Sequence, residues 1–166
     1  LLERRIQVKR LAIIGGGSWG TALAIVLAHR FPQVCLWVYE RDLALRMQRV
    51  RENDLYLPGF NLPAGVSVTS RLEEALDGAE VVLGVMPSHH ARRLYREMLP
   101  YLTPSMLLVS ATKGLEEGSL LRMSQVIAEV VSERFEPHVA VLSGPTFARE
   151  VARGEPAAVV IASVDH

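Results

Sequence analysis

The sequence predicts an α/β fold, a doubly wound and mostly parallel sheet with helices on both faces. Three observations carry this reading. Short apolar runs alternate with amphipathic stretches from end to end, the rhythm of parallel strands joined by crossover helices. Val81 to Met86 is apolar throughout, as a strand covered on both faces should be. The stretch LAIIGGGSWGTALA, Leu11 to Ala24, runs from apolar residues through three glycines, a tryptophan and a fourth glycine into apolar residues again. A strand there hands over to a helix across a turn almost without side chains.

The elements follow in order. Leu11 to Ile14 reads as the first strand and Trp19 to Ala28 as the helix packed on the sheet. Val34 to Tyr39, rich in β-branched and aromatic residues, is the second strand, and the polar Arg41 to Asn53 is the second helix. Leu55 to Val66 holds two prolines and two glycines and reads as a long loop. Val66 to Thr69 is a short third strand, after which Ser70 and Glu73 form a capping box for a short helix. The fourth strand, Val81 to Met86, is stopped by Pro87, and a helix from about His89 to Leu99 is ended by Pro100. Met106 to Ala111 is the fifth strand. A loop then leads to a helix of about Leu120 to Arg134, with Leu121, Val126, Ile127, Val130 and Val131 as its apolar stripe. Val139 to Ser143 is the sixth strand, Thr146 to Gly154 a short helix ending in glycine, and Ala157 to Ser163 the seventh strand.

Composition excludes several classes. The 166 residues suit one domain or slightly more, and 49% hydrophobic against 22% charged residues is the balance of a globular chain. Lys plus Arg equals Asp plus Glu at 18 each, so no overall field steers the chain to nucleic acid or to an anionic membrane. Its one cysteine, Cys35, lies in an apolar run and reads as a small buried thiol, which excludes a disulfide framework. No apolar run approaches the roughly 18 residues of a membrane span, and the charged N-terminus does not read as a signal peptide, so the expected location is the cytoplasm. Starting with Leu and ending just after a strand, residues 1–166 read as one domain cut from a longer protein.

Gly15, Gly17 and Gly20 stand at the G-x-G-x-x-G positions between a predicted strand and a predicted helix. Gly15 permits the tight turn, Gly17 leaves room for a pyrophosphate to reach the main chain, and Gly20 lets the helix pack closely. The helix N-terminus then offers free N–H groups and a partial positive charge to the phosphates. A chain with no net charge can grip a dinucleotide this way, and the architecture is of the Rossmann type. Glu40 lies 20 residues beyond Gly20, at the end of the second strand. Its carboxylate can accept hydrogen bonds from the ribose hydroxyls of NAD and would repel the 2′-phosphate of NADP. Adjacent Arg41 can pair with that phosphate. The reading favours NAD, with NADP as the alternative.

The segments IIGGGSWGTALA, MPSHHARRLY, SATKGLE and SGPTFAREVARGEP occur in the order found in glycerol-3-phosphate dehydrogenases. The chain resembles that family from about Lys9 to Ser163, over the family's N-terminal, cofactor-binding half. The resemblance implies the interconversion of glycerol 3-phosphate and dihydroxyacetone phosphate by hydride transfer, with a small phosphorylated triose as partner. It implies that Ser18 and Trp19 line the pyrophosphate and adjoining groups, the indole walling the site where bare backbone leaves it open. Tyr39 and Glu40 fall where relatives that prefer NADP place Arg or His, which marks both as cofactor positions. Pro87 and Ser88, at the carboxyl edge of the fourth strand, would lie near the nicotinamide and ribose. Ser88 also reads as an ordinary N-cap.

Lys113 is the catalytic candidate, because the resemblance has it contact both substrate and cofactor. An ammonium beside a reducible carbonyl stabilises the negative charge that develops on oxygen during hydride transfer. The resemblance also places Gly144 and Thr146 at the substrate and Ala148 beside the cofactor. From the residues alone, Pro145 starts that helix and Thr146 helps to cap it. His89 and His90 have no Cys, Asp or Glu beside them at ligand spacing, so no metal is expected.

The family's proton-transferring lysine and its substrate-phosphate ligands belong to a helical second domain outside residues 1–166, through which a homodimer would also form. The piece alone is therefore expected to bind dinucleotide with little turnover. Two rival readings share the glycine loop: a related hydroxy-acid or sugar-acid dehydrogenase, and a module that senses NAD(H) and catalyses nothing. The second needs neither Lys113 nor SGPTFA.

Overall fold

A computed structural model describes residues 8–164. Its seven strands are β1 (Arg10–Ile14), β2 (Gln33–Trp37), β3 (Val66–Thr69), β4 (Val81–Gly84), β5 (Leu107–Ser110), β6 (His138–Ser143) and β7 (Val160–Ser163). Six α-helices cross between them: α1 (Ser18–Leu27), α2 (Arg41–Val50), α3 (Leu72–Leu76), α4 (Ser88–Met98), α5 (Met123–Val131) and α6 (Ala148–Ala152). They form one sheet in the order β3-β2-β1-β4-β5-β6-β7. Every pairing is parallel except β6 with β7, which is antiparallel. The doubly wound sheet predicted from the sequence is the one found.

Alternation along each strand builds two cores. Leu11 and Ile13 of β1, with Val34 and Leu36 of β2, face α1, α2 and α6. Ala12 and Ile14, with Cys35 and Trp37, face α3, α4 and α5. Burying such side chains on both faces is why residues 11–14 and 34–37 are apolar without a break, each large one stabilising the fold by about 1.5 to 3 kcal/mol. The helices answer with apolar stripes. In α4 the buried residues are Ala91, Leu94, Tyr95 and Met98, and in α5 they are Met123, Val126, Ile127, Val130 and Val131. Cys35 is buried as expected, and its surroundings push the thiol above its ordinary pKa, chiefly by desolvation.

Several boundaries differ from the sequence reading. The second strand ends at Trp37, so Tyr39 and Glu40 lie beyond it and Glu40 is the residue that precedes α2. Ser70 does not cap α3. The helix starts after Arg71, and the turn is closed by Thr69, whose hydroxyl donates to Glu74 Oε2 at 2.6 Å and accepts from the Arg71 N–H at 3.1 Å. Buried Thr69 at the strand end thus takes the task assigned to its neighbour. The helix expected from Leu120 begins at Met123, because Leu120 is left-handed and a bridge pairs Leu115 with Arg122. Ser88 is the first residue of α4 rather than its cap, and α6 starts at Ala148, which leaves Pro145 and Thr146 in the preceding loop.

β7 makes the far rim of the sheet. Among the described residues its only strand partner is β6, and Val160 and Ile161 are exposed at 66% and 65%. No helix among the described residues is long and apolar enough to cross a membrane.

Candidate functional site

Connections leave β1 toward β2 and leave β4 toward β5, so the winding reverses between β1 and β4. Ligands of open α/β sheets bind outside the carboxyl ends of the strands at such a reversal. Register aligns those ends: Ile14 pairs with Trp37 and with Gly84, and Gly84 with Ser110. The residues that follow emerge along one edge, and a cavity of about 700 Å³ opens there.

The glycine loop forms one wall. Gly15 has φ +132°, and a Cβ on it would strike the Val85 carbonyl. A Cβ on Gly20 would strike the Gly15 carbonyl, so α1 starts directly against the turn. Gly17 is different. A Cβ there would meet no atom within 4 Å, and Gly17 lines the cavity. Helix α1 has no side-chain cap and no acidic residue in its first turn, which leaves its leading N–H groups free for an outside acceptor.

A buried asparagine that the sequence reading had assigned to the end of α2 holds this wall. Asn53, fully buried, donates to the Gly16 carbonyl and to Thr21 Oγ1, each at 2.8 Å. Its Oδ1 accepts the Tyr56 N–H at 3.0 Å. Tyr56 in turn donates its hydroxyl to Glu40 Oε1 at 2.6 Å, and that bond raises the phenol's pKa. Glu40 therefore faces the cavity with one oxygen engaged and the other open. Tyr39 stands beside it with its ring 6.1 Å from Trp37 and 6.0 Å from the Arg93 guanidinium. Arg93 lines the cavity, whereas Arg41 is exposed at the start of α2 and does not.

Lys113 closes the opposite side. Its ammonium donates to the Thr146 carbonyl at 3.0 Å and stands 5.7 Å from the centre of the Trp19 ring. At that distance the ring face attracts the cation. The indole in the glycine turn thus has a partner across the cavity. A second cavity of about 830 Å³ lies on the far side of Lys113, with Gly144 in its wall. Trp19, Thr112, Lys113 and Thr146 border both spaces. One ammonium therefore reaches two compartments.

Gly15, Gly17, Ser18, Trp19, Tyr39, Glu40, Pro87, Lys113, Thr146 and Ala148 all line the first cavity. Gly20 lies beneath it, and Ser88 lies behind it, its Oγ 3.5 Å from where a Cβ on Gly114 would stand. The sequence reading missed Asn53, Tyr56 and Arg93. A lone Asn or Tyr near a long loop carries no spacing signal, but Arg93 falls one helical turn beyond His89 and was open to inspection. Among the described residues no group of three His, Cys, Asp or Glu side chains gathers to hold a metal, and the rings of His89 and His90 lie 4.0 Å apart.

The arrangement can receive an anion at the start of α1, hydroxyl groups at Glu40, and a second ligand beyond Lys113. The sequence profile described as NAD-dependent glycerol-3-phosphate dehydrogenase N-terminus matches residues 10–166. A glycerol-3-phosphate dehydrogenase [NAD(P)+] of Koribacter versatilis is 54% identical over 159 residues, which is 95% of this chain and 47% of that protein. The namesake from Acidobacterium capsulatum is 46% identical over 163 residues, covering 95% of this chain and 48% of that protein. The crystal structure of glycerol-3-phosphate dehydrogenase from Coxiella burnetii superposes with a TM-score of 0.88 at 37% identity, over 95% of this chain and 47% of its own. The chain thus spans about half the length of the relatives it matches.

Proposed function

The chain belongs to the NAD-dependent glycerol-3-phosphate dehydrogenase family through that family's N-terminal portion, and from this premise we propose that it is the dinucleotide-binding half of an enzyme that interconverts glycerol 3-phosphate and dihydroxyacetone phosphate. The single observation that carries the proposal is Lys113 at the junction of two cavities, opposite a glycine turn with an uncapped helix start. The open space at Gly17 fits a pyrophosphate.

When bound, the nicotinamide supplies the hydride chemistry. The residues of this chain do the rest. Free N–H groups of Ser18, Trp19 and Gly20 at the start of α1 hold the diphosphate, with Gly15 and Gly17 shaping the turn. Glu40, steadied by Tyr56, accepts ribose hydroxyls, with Tyr39 beside it. Pro87 and Ala148 would border the middle of the ligand, with Ser88 behind them. Lys113 directs its ammonium at the carbonyl oxygen of a substrate seated toward Gly144 and Thr146, and stabilises the charge that grows there. The second half of the protein supplies the remaining substrate contacts and the proton transfer, and the enzyme works in the cytoplasm.

Titration of the full-length protein with NADH and NADPH, followed by nicotinamide fluorescence, tests the cofactor assignment. Tighter NADH binding is expected, and Glu40→Gln should erode that preference. Dihydroxyacetone phosphate reduction should fall by about 10²-fold or more in Lys113→Ala. Full activity in that variant would remove Lys113 from the chemistry.

A further inference from the structure

We propose that the ion pair between Arg92 and Glu116 is a positioning device for Lys113, fixing the loop between β5 and α5 and so setting where the ammonium stands between the two cavities. The inference rests on the reading that Lys113 acts on the substrate carbonyl.

The loop has little else to hold it. From Lys113 to Leu120 every residue except Glu116 is exposed, including the apolar Leu115 at 50% and Leu120 at 71%. Apolar burial therefore does not seat the segment. Glu116 does. Its carboxylate accepts Arg92 Nε at 2.7 Å and Arg92 Nη2 at 2.9 Å, a two-point contact that fixes orientation as well as distance. The Ser119 hydroxyl donates to Glu116 Oε2 at 2.5 Å, and the Glu116 N–H and C=O bond to Leu121 and Leu120. The carboxylate thus organises the loop from within while Arg92 ties it to the body.

Arg92 itself is anchored twice. It lies on α4, one turn after Ser88, and Nη2 also donates to Glu129 Oε2 of α5 at 2.8 Å. The pair is sheltered, with side-chain exposures of 25% for Arg92 and 12% for Glu116, so water competes for it less than for a surface pair. Only Gly114 and Leu115 separate Glu116 from Lys113. Lys113 is then set by this anchor on one side and by β5 on the other. Neither residue of the pair borders the dinucleotide cavity, so its effect reaches the site through Lys113.

In the full-length protein, Glu116→Gln should lower kcat for dihydroxyacetone phosphate reduction by about ten- to a hundredfold, as expected when a catalytic group is displaced by about 1 Å, while NADH affinity changes by no more than it does in Lys113→Ala. The same substitution in a Lys113→Ala background should cost nothing further, because its effect passes through the lysine. Arg92→Lys, which keeps the charge but not the two-point contact, should recover part of the loss seen in Arg92→Ala. It also serves as the test if Glu116→Gln does not fold. Wild-type kcat in Glu116→Gln, or an equal extra loss in the Lys113→Ala background, overturns the proposal. Full activity in Lys113→Ala alone instead overturns the assignment on which it stands, and the proposal with it.

Discussion

Asn53 shows how much one side chain can hold. It has no contact with the cavity, yet its amide joins the Gly16 carbonyl, Thr21 and the turn that carries Tyr56. Asn53→Ala would leave a buried carbonyl and a buried hydroxyl without that donor, at a cost of about 1 to 3 kcal/mol. Urea unfolding should register that loss, and fluorescence titration should show weaker NADH binding because both the glycine turn and Glu40 lose their common support. Unchanged values in both measurements would mean that Asn53 merely fills space. The sequence gives no hint of this role, since three hydrogen-bonded partners drawn from the glycine turn, α1 and the Tyr56 turn make no pattern along the chain. Lys113 was legible only through the family segment around it, and its two partners, Trp19 and the Thr146 carbonyl, come from distant segments.

At the scale of the element, the start of α1 separates structure from ligand room within four residues. Gly20→Ala drives a methyl group into the Gly15 carbonyl and should destabilise the fold, read as a lower thermal midpoint. Gly17→Ala meets nothing in the protein. It should melt near the wild-type temperature and still bind NADH poorly, because its methyl occupies the space a diphosphate needs. Equal binding by Gly17→Ala and wild type would reject that location for the phosphates. The glycine spacing and the flanking apolar runs made this element readable in advance. The ends of α3, α5 and α6 were not, because Thr69, the Leu115–Arg122 bridge and the loop before Ala148 decide them through contacts that propensity does not see.

For the whole molecule, alternating apolar and polar patterning was enough to specify the sheet, since burial on both faces leaves few other arrangements. It was silent on the antiparallel direction of β7 and on the links between loops. Those links have an acid signature. Hydrogen bonds from Arg92 and then Ser119 hold the Glu116 carboxyl down to about 2, from an ordinary 4.5. Because the folded value lies below the unfolded one, the pair contributes fully above about pH 4.5 and is lost as the pH falls toward 2. Wild type should accordingly lose more stability than Glu116→Gln between about pH 5 and pH 3, a difference that urea midpoints across that range would reveal. Parallel curves would show that the pair is already open in solution.

The outer rim of β7 carries a different consequence. Among the described residues no strand pairs with the outer edge of β7, where Val160 and Ile161 are exposed, and such an edge can accept a further strand from any chain it meets, the geometry from which intermolecular sheets grow. Handled by itself at high concentration, this half-protein should tend to clump along that border, and a lysine in place of Ile161 would blunt it while leaving the nucleotide side of the sheet untouched.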